Sequence, residues 1–183
     1  YEDFRTNFDR DIGSRYALRC SFFLVDKIPN VAVFVSKYDH CLYDILTQQR
    51  SRKLACNIPF ILSNHRDLES VAKQFQIPFY HVPVTKETKP EAETQQLELL
   101  KKHEIDSIVL ARYMQIVSHR LVDAFPNQII NIHHSFLPAF PGAKPYHSAF
   151  ERGVKIIGAT SHYVTEDLDA GPIIEQDIVR VSH

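Results

Sequence analysis

An open, doubly wound α/β sheet, mostly parallel and with helices on both faces, is the fold this sequence predicts. Three observations lead there. Short continuous runs of branched apolar residues recur, beginning with Val31-Ala32-Val33-Phe34-Val35. Such runs mark strands covered on both faces. Segments with helical spacing separate them, and strands alternating with helices pair in parallel through right-handed crossovers. The last two strand-like runs, Ile156 to Val164 and Ile173 to Val181, leave no room for a long helix between them. They read as an antiparallel pair near the C-terminus.

The elements follow in order. Residues 1–28 stand apart, with Phe4 to Ile12 as the end of a helix and Tyr16 to Val25 as one strand. Such a pair cannot bury a core by itself. Val31–Val35 is the first strand of the main domain, and Cys41 to Gln49 is a helix. Ile58 to Ser63 is a strand with Pro59 near its start, where prolines are tolerated. Asp67 is placed to cap a helix carrying Leu68, Val71, Ala72 and Phe75. Ile77 to His81 is a short strand. Pro90 to His103 is a helix with proline in its first turn and early glutamates. Ser107–Ala111 is a strand, and Ser118 is placed to cap a helix through Ala124. Ile129 to Ile132 is the fifth strand, and Tyr146 to Arg152 a further helix.

Composition narrows the function. The chain has 183 residues, 44% of them hydrophobic and 23% charged, as in an ordinary globular domain. A net charge of −1 offers no wide basic face for nucleic acid. No run has the length of a membrane span, so no membrane partner is expected. Cys20, Cys41 and Cys56 lack metal or redox spacing and suit a reducing, cytoplasmic compartment. The first residue is Tyr1 and the last is His183, and the chain reads as a piece of a longer protein. None of the five glycines lies in the turn after the first strand. A dinucleotide fold needs its phosphate cradle there. Ser36-Lys37-Tyr38-Asp39-His40 stands in its place, so binding of NAD or ATP in that manner is not expected.

The fifth strand carries the chemistry. Its apolar run turns polar at Asn131, His133, His134 and Ser135, and Pro138, Pro141 and Gly142 end regular structure beyond it. Ligands bind at the carboxyl ends of strands in open α/β sheets. An Asn is a neutral donor for a developing oxyanion, and a His moves protons near neutral pH. On these residues alone, satisfying buried backbone groups at a strand end is the commoner role. Ten histidines invite a metal. However, His133, His134, His147 and His162 lack ligand spacing, and neighbours on a strand point opposite ways. No metal is expected.

The run Asn131-Ile132-His133-His134-Ser135-Phe136-Leu137-Pro138-Ala139-Phe140 is followed by Gly142-Ala143-Lys144-Pro145-Tyr146-His147. Then comes Gly158-Ala159-Thr160-Ser161-His162-Tyr163-Val164-Thr165-Glu166-Asp167-Leu168-Asp169-Ala170-Gly171-Pro172. Over residues 29–183 this series resembles the formyltransferase superfamily, whose members use 10-formyltetrahydrofolate. Ser36-Lys37-Tyr38-Asp39-His40-Cys41-Leu42 and the His-His-Ser-Phe-Leu-Pro wording resemble its deformylase branch most.

The resemblance implies hydrolysis of 10-formyltetrahydrofolate to formate and tetrahydrofolate, supplying formate for one-carbon and purine metabolism. The folate is substrate, and no cofactor is implied. Asn131, His133 and Asp169 would be catalytic. Asp169 would orient water and set an opposite charge beside His133, although alone it reads as a turn residue before Gly171-Pro172. Met114, Gln115, Ile116 and Val117 would line the pteridine pocket, with Thr165, Glu166, Asp167 and Leu168 as the opposite wall. Met114 alone reads equally as core filler. His162, Ser135, His40 and Lys144 would support the site. His162 reads as well as a satisfied core histidine, Ser135 as a turn cap, and Lys37 as a solvated side chain. Residues 1–28 resemble the last helix and strand of an ACT-type regulatory domain, and the family tends to form homo-oligomers.

Two other functions compete. One is formyl transfer to an amine such as glycinamide ribonucleotide, whose phosphate the transferases hold with a glycine-rich loop missing here. Transfer to initiator tRNA would call for a basic nucleic-acid module. The other is a regulatory protein that senses folate or an amino acid, against which the intact Asn131, His133 and Asp169 set argues. Tyr38, Asp39 and His40 would fill the acceptor channel and leave room only for water.

Overall fold

The computed structural model describes residues 2–18, 20, 22, 27–139 and 145–181. An N-terminal helix, α1 (Glu2–Phe8), runs through a π-helical turn at Asp9–Gly13 into α2 (Ser14–Tyr16). Tyr16 is therefore helical and does not begin a strand. The rest of that expected strand lies largely outside the described residues.

From residue 31 onward strands and helices alternate: β1 (Val31–Val35), α3 (His40–Arg50), β2 (Ile61–Ser63), α4 (Glu69–Gln74), β3 (Phe79–His81) and α5 (Lys89–Lys102). Then follow β4 (Ser107–Ala111), α6 (His119–Ala124), β5 (Ile129–His133), α7 (Pro145–Glu151), β6 (Ile156–Tyr163) and β7 (Ile173–Arg180). They build a seven-stranded sheet in the order β3-β2-β1-β4-β5-β6-β7. Pairing is parallel from β3 to β5 and antiparallel from β5 to β7. The predicted doubly wound sheet with a closing antiparallel pair is thus present.

Alternation along β1 explains why both faces are covered. Ala32 and Phe34 pack with Leu100 of α5 and Leu121 of α6. Val31, Val33 and Val35 pack with Leu42 and Leu46 of α3 and Val71 of α4. Successive side chains point to opposite faces, so a strand buried on both sides has no polar position to spare. β2 and β3 start later than their apolar runs suggest, each after a proline, Pro59 and Pro78. A proline has no N–H for the ladder.

Two expected helix caps are not made. Leu68, not Asp67, occupies the cap position of α4, and it is 4% exposed; apolar burial, not a side-chain hydrogen bond, sets that start. Ser118 does occupy the cap position of α6, but its hydroxyl donates elsewhere. The chain moves outward from β1 to β3 and then returns to β4 on the other side of β1. The order reverses between β1 and β4, and a crevice forms at such a point, outside the strands' carboxyl ends.

Candidate active site

Asn131 and His133 lie two residues apart on β5 and so share a face. β6 sets His162 directly opposite Asn131. His162 is 2% exposed, and its Nδ1 lies 3.0 Å from the Tyr163 carbonyl oxygen. A carbonyl only accepts, so Nδ1 carries a proton, and in the tautomer with its single proton there Nε2 is an acceptor. Asn131 Nδ2 donates to it across 3.3 Å. The histidine tautomer thereby fixes which way the amide faces and leaves its second N–H for another acceptor.

The tip between β6 and β7 brings in the carboxylate. Asp169 Oδ2 lies 3.4 Å from His133 Nδ1, and Oδ1 lies 3.7 Å from His162 Nε2. Asp169 adopts φ +56°, a left-handed conformation that stores roughly 1–3 kcal/mol and clusters at functional sites. The tip is tied at its base by Tyr163 N–H to the Pro172 carbonyl and Val164 N–H to the Ile129 carbonyl. Gly171 makes the fold-back possible, because a Cβ there would overlap the Tyr163 carbonyl oxygen.

These groups line one cleft of about 300 Å³. Met114, Gln115, Ile116 and Val117 line it from the loop after β4, and Thr165, Glu166, Asp167 and Leu168 from the tip. Met114, Ile116 and Leu168 are at least 60% exposed. Met114 therefore does not fill the core; it presents an apolar surface where a flat ring could stack. The described residues hold no group of three or more His, Cys, Asp or Glu placed to bind a metal ion.

The loop after β4 is anchored at both ends by groups distant in sequence. Buried Ser36 accepts the Met114 N–H at 3.0 Å while donating to Asn64 Oδ1 at 2.6 Å. Buried Glu93 of α5 accepts from Ser118 Oγ at 2.6 Å and from its N–H at 3.3 Å. Glu93 thus holds Ser118 in place, and no side chain among the described residues caps the first turn of α6. Tyr113, just before the loop, takes a hydrogen bond from Gln96 at 3.1 Å, and burial pushes its hydroxyl up to about 12. It anchors and does not titrate near neutrality.

Not every expected residue reaches the cleft. His40 opens α3 as an exposed side chain, and Ser135 is buried away from the cleft lining, its carbonyl accepting from Thr160 Oγ1 at 2.7 Å. Lys144 lies outside the described residues, and Lys37 is exposed. Tyr38, Asp39 and His40 do not line the cleft; Tyr38 packs behind Arg112 instead. His134 lines the cleft together with His133, with ring centroids 6.4 Å apart and planes at 22°. The expected opposite orientation fails because β5 ends at His133 and the chain bends there.

Sequence reasoning did not single out Arg112, Glu93, Ser36 or Thr160. For Arg112 the available signal was its place straight after β4, at a strand's carboxyl end. Arg112 Nη1 donates to His134 Nε2. Burial first, then the charges of Arg112, His133 and His40, lower the proton affinity of His134, with Asp169 opposing. His134 is therefore a neutral acceptor near pH 7. No helix among the described residues is long and apolar enough to cross a membrane.

Comparison with known proteins places the chain in a family. The formyl transferase family model matches residues 29–183. A formyltetrahydrofolate deformylase from Synechocystis is 63% identical over 86% of the chain. The crystal structure of a formyltetrahydrofolate deformylase from Pseudomonas syringae superimposes on the whole chain with a TM-score of 0.93 at 48% identity. That of glycinamide ribonucleotide transformylase 1 from Symbiobacterium toebii covers 89% of the chain and 78% of its own length, with a TM-score of 0.79 at 31% identity. The chain spans 55% of the Synechocystis relative and 61% of the Pseudomonas one.

Proposed function

The chain belongs to the formyl transferase family, and from that premise we propose that its protein hydrolyses 10-formyltetrahydrofolate to formate and tetrahydrofolate. The observation that carries the reading is the meeting of Asn131, His133 and Asp169 in a cleft with an apolar rim. The same three residue types suit attack on a formamide. Water adds to the formyl carbon as its proton passes to His133, and negative charge develops on the formyl oxygen. Asn131 offers its second amide N–H to that oxygen, a donor worth typically ~2.7–4 kcal/mol. Asp169 orients the water and, beside His133 Nδ1, holds that ring so that Nε2 faces the reacting group. The C–N10 bond then breaks, His133 passes a proton to N10, and formate leaves. The folate ring stacks on the apolar loop after β4 and meets the backbone of Gln115 to Val117.

No metal or cofactor enters this scheme. Residues 1–28 belong, on this reading, to an ACT-type regulatory domain, and the protein works in the cytoplasm as a homo-oligomer. Full-length protein supplied with 10-formyltetrahydrofolate should release formate and tetrahydrofolate one for one, and a chelator should leave the rate unchanged. Tetrahydrofolate without formate would sink the hydrolytic reading. Loss of turnover on chelation, restored by zinc, would sink the metal-free mechanism.

A further inference from the structure

The cleft has a wall that the hydrolytic scheme does not use. Arg112 follows β4 directly and adopts φ +59°, a left-handed conformation uncommon for a long side chain. Its guanidinium lies 4.9 Å over the Tyr38 ring, and Nη1 donates to His134 Nε2. His134 in turn lies against His133 on one side and Tyr146 on the other, at centroid distances of 6.4 and 6.1 Å. The result is a continuous stack from the turn after β1, across the end of β4, to the end of β5. The Nε of Arg112 is buried with no hydrogen-bond partner among the described residues.

The stack also bounds the cleft. Arg112 and His134 line the cleft, whereas no residue from 36 to 41 does. Yet the turn after β1 borders the point where strand order reverses, the crevice in which open sheets of this kind hold their ligands. Tyr38 stands on that side, and Arg112 stands between it and the cleft.

Resting on the hydrolytic reading above, we infer that Arg112, clamped between Tyr38 and His134, is the residue that decides specificity by barring amine acceptors from the formyl carbon. Water is small enough to reach the carbon inside the wall. An amine carrying any substituent would have to displace the guanidinium. Neutral His134 can accept from Arg112 without repelling it. With the wall gone, an amine nitrogen could add to the formyl carbon. The C–N10 bond would break, the amine's proton would pass to N10, and a formamide would leave in place of formate.

Glycinamide, a small primary amine without a phosphate, is the probe. Full-length wild-type protein, Arg112→Ala and Tyr38→Ala are each given 10-formyltetrahydrofolate and glycinamide, and formylglycinamide and formate are quantified against an enzyme-free control. Arg112→Ala should raise the ratio of formylglycinamide to formate at least tenfold, and Tyr38→Ala should raise it by less. Tyr38 is 56% exposed, so its replacement spares the fold and carries the test even if Arg112→Ala misfolds. An unchanged ratio in whichever variant still releases formate overturns the inference. So does a wild-type protein that formylates glycinamide as readily as the variants. Wild-type protein that releases no formate at all would instead overturn the hydrolytic reading.

Discussion

At the scale of single residues, the site is a set of fixed hydrogen-bond directions. Tyr163 O sets the His162 tautomer, His162 sets the Asn131 amide, and Asp169 faces His133. Asn131→Ala should therefore lower kcat by about 10²–10³ while folate affinity stays nearly constant. Equal falls in kcat and affinity would show that Asn131 serves binding instead. His134 gives a pH signature. Its proton affinity in the folded chain lies below the ordinary imidazole value of 6.5. Above that value it is neutral in both folded and unfolded chains and contributes no pH dependence. Below it the unfolded chain takes up a proton that the folded chain refuses, so stability falls as pH falls. Denaturant midpoints measured from about pH 7.5 to about pH 5.5 should drop less steeply for His134→Gln than for wild type. Identical slopes would contradict the assignment. Asn131 and His133 stood out in sequence as a polar pair ending an apolar strand, but only the family resemblance raised them above a structural role. Arg112 was not, because its role depends on a left-handed backbone and on partners 74 residues before and 22 residues after it, Tyr38 and His134.

At the scale of elements, two loops make the cleft, one folded on a glycine of its own and the other held by anchors distant in sequence. The tip between β6 and β7 depends on Gly171, whose missing side chain lets the backbone fold back. The loop after β4 depends on Ser36 and Glu93. Glu93 reads in sequence as one more solvated glutamate early in a helix, and only the packing of α5 against the loop reveals it at 8% exposure. Glu93→Ala should weaken folate binding roughly tenfold, with kcat changed less than about threefold, because it frees a binding loop without touching the reacting groups. It should also cost about 1–3 kcal/mol of stability from the Ser118 groups left unpaired. A variant with normal affinity would show that the loop holds its shape unaided. The strands were legible almost to the residue where a run is buried on both faces, as in β1 and β4. The boundaries slipped where a proline removes the N–H that begins a ladder, as before β2 and β3.

At the scale of the molecule, topology puts the chemistry where it is. Strand order reverses beside β1, the parallel strands deliver the ends of β4 and β5 to one side, and the tip between β6 and β7, which leaves β6 beside Ile130, folds back to bring Asp169 to His133. Alternation of strand and helix predicted the doubly wound sheet, and the short link between the last two runs predicted their antiparallel pairing. The meeting of Asp169 with His133 could not be read from spacing, because it depends on how far the tip folds back. The central claim is that water alone is the acceptor. It is tested most directly by giving full-length protein 10-formyltetrahydrofolate with and without saturating glycinamide ribonucleotide, and measuring where the formyl group goes. The account predicts the same rate of formate release in both and no formylated ribonucleotide. Diversion of the formyl group into formylglycinamide ribonucleotide, with formate falling to match, would contradict it.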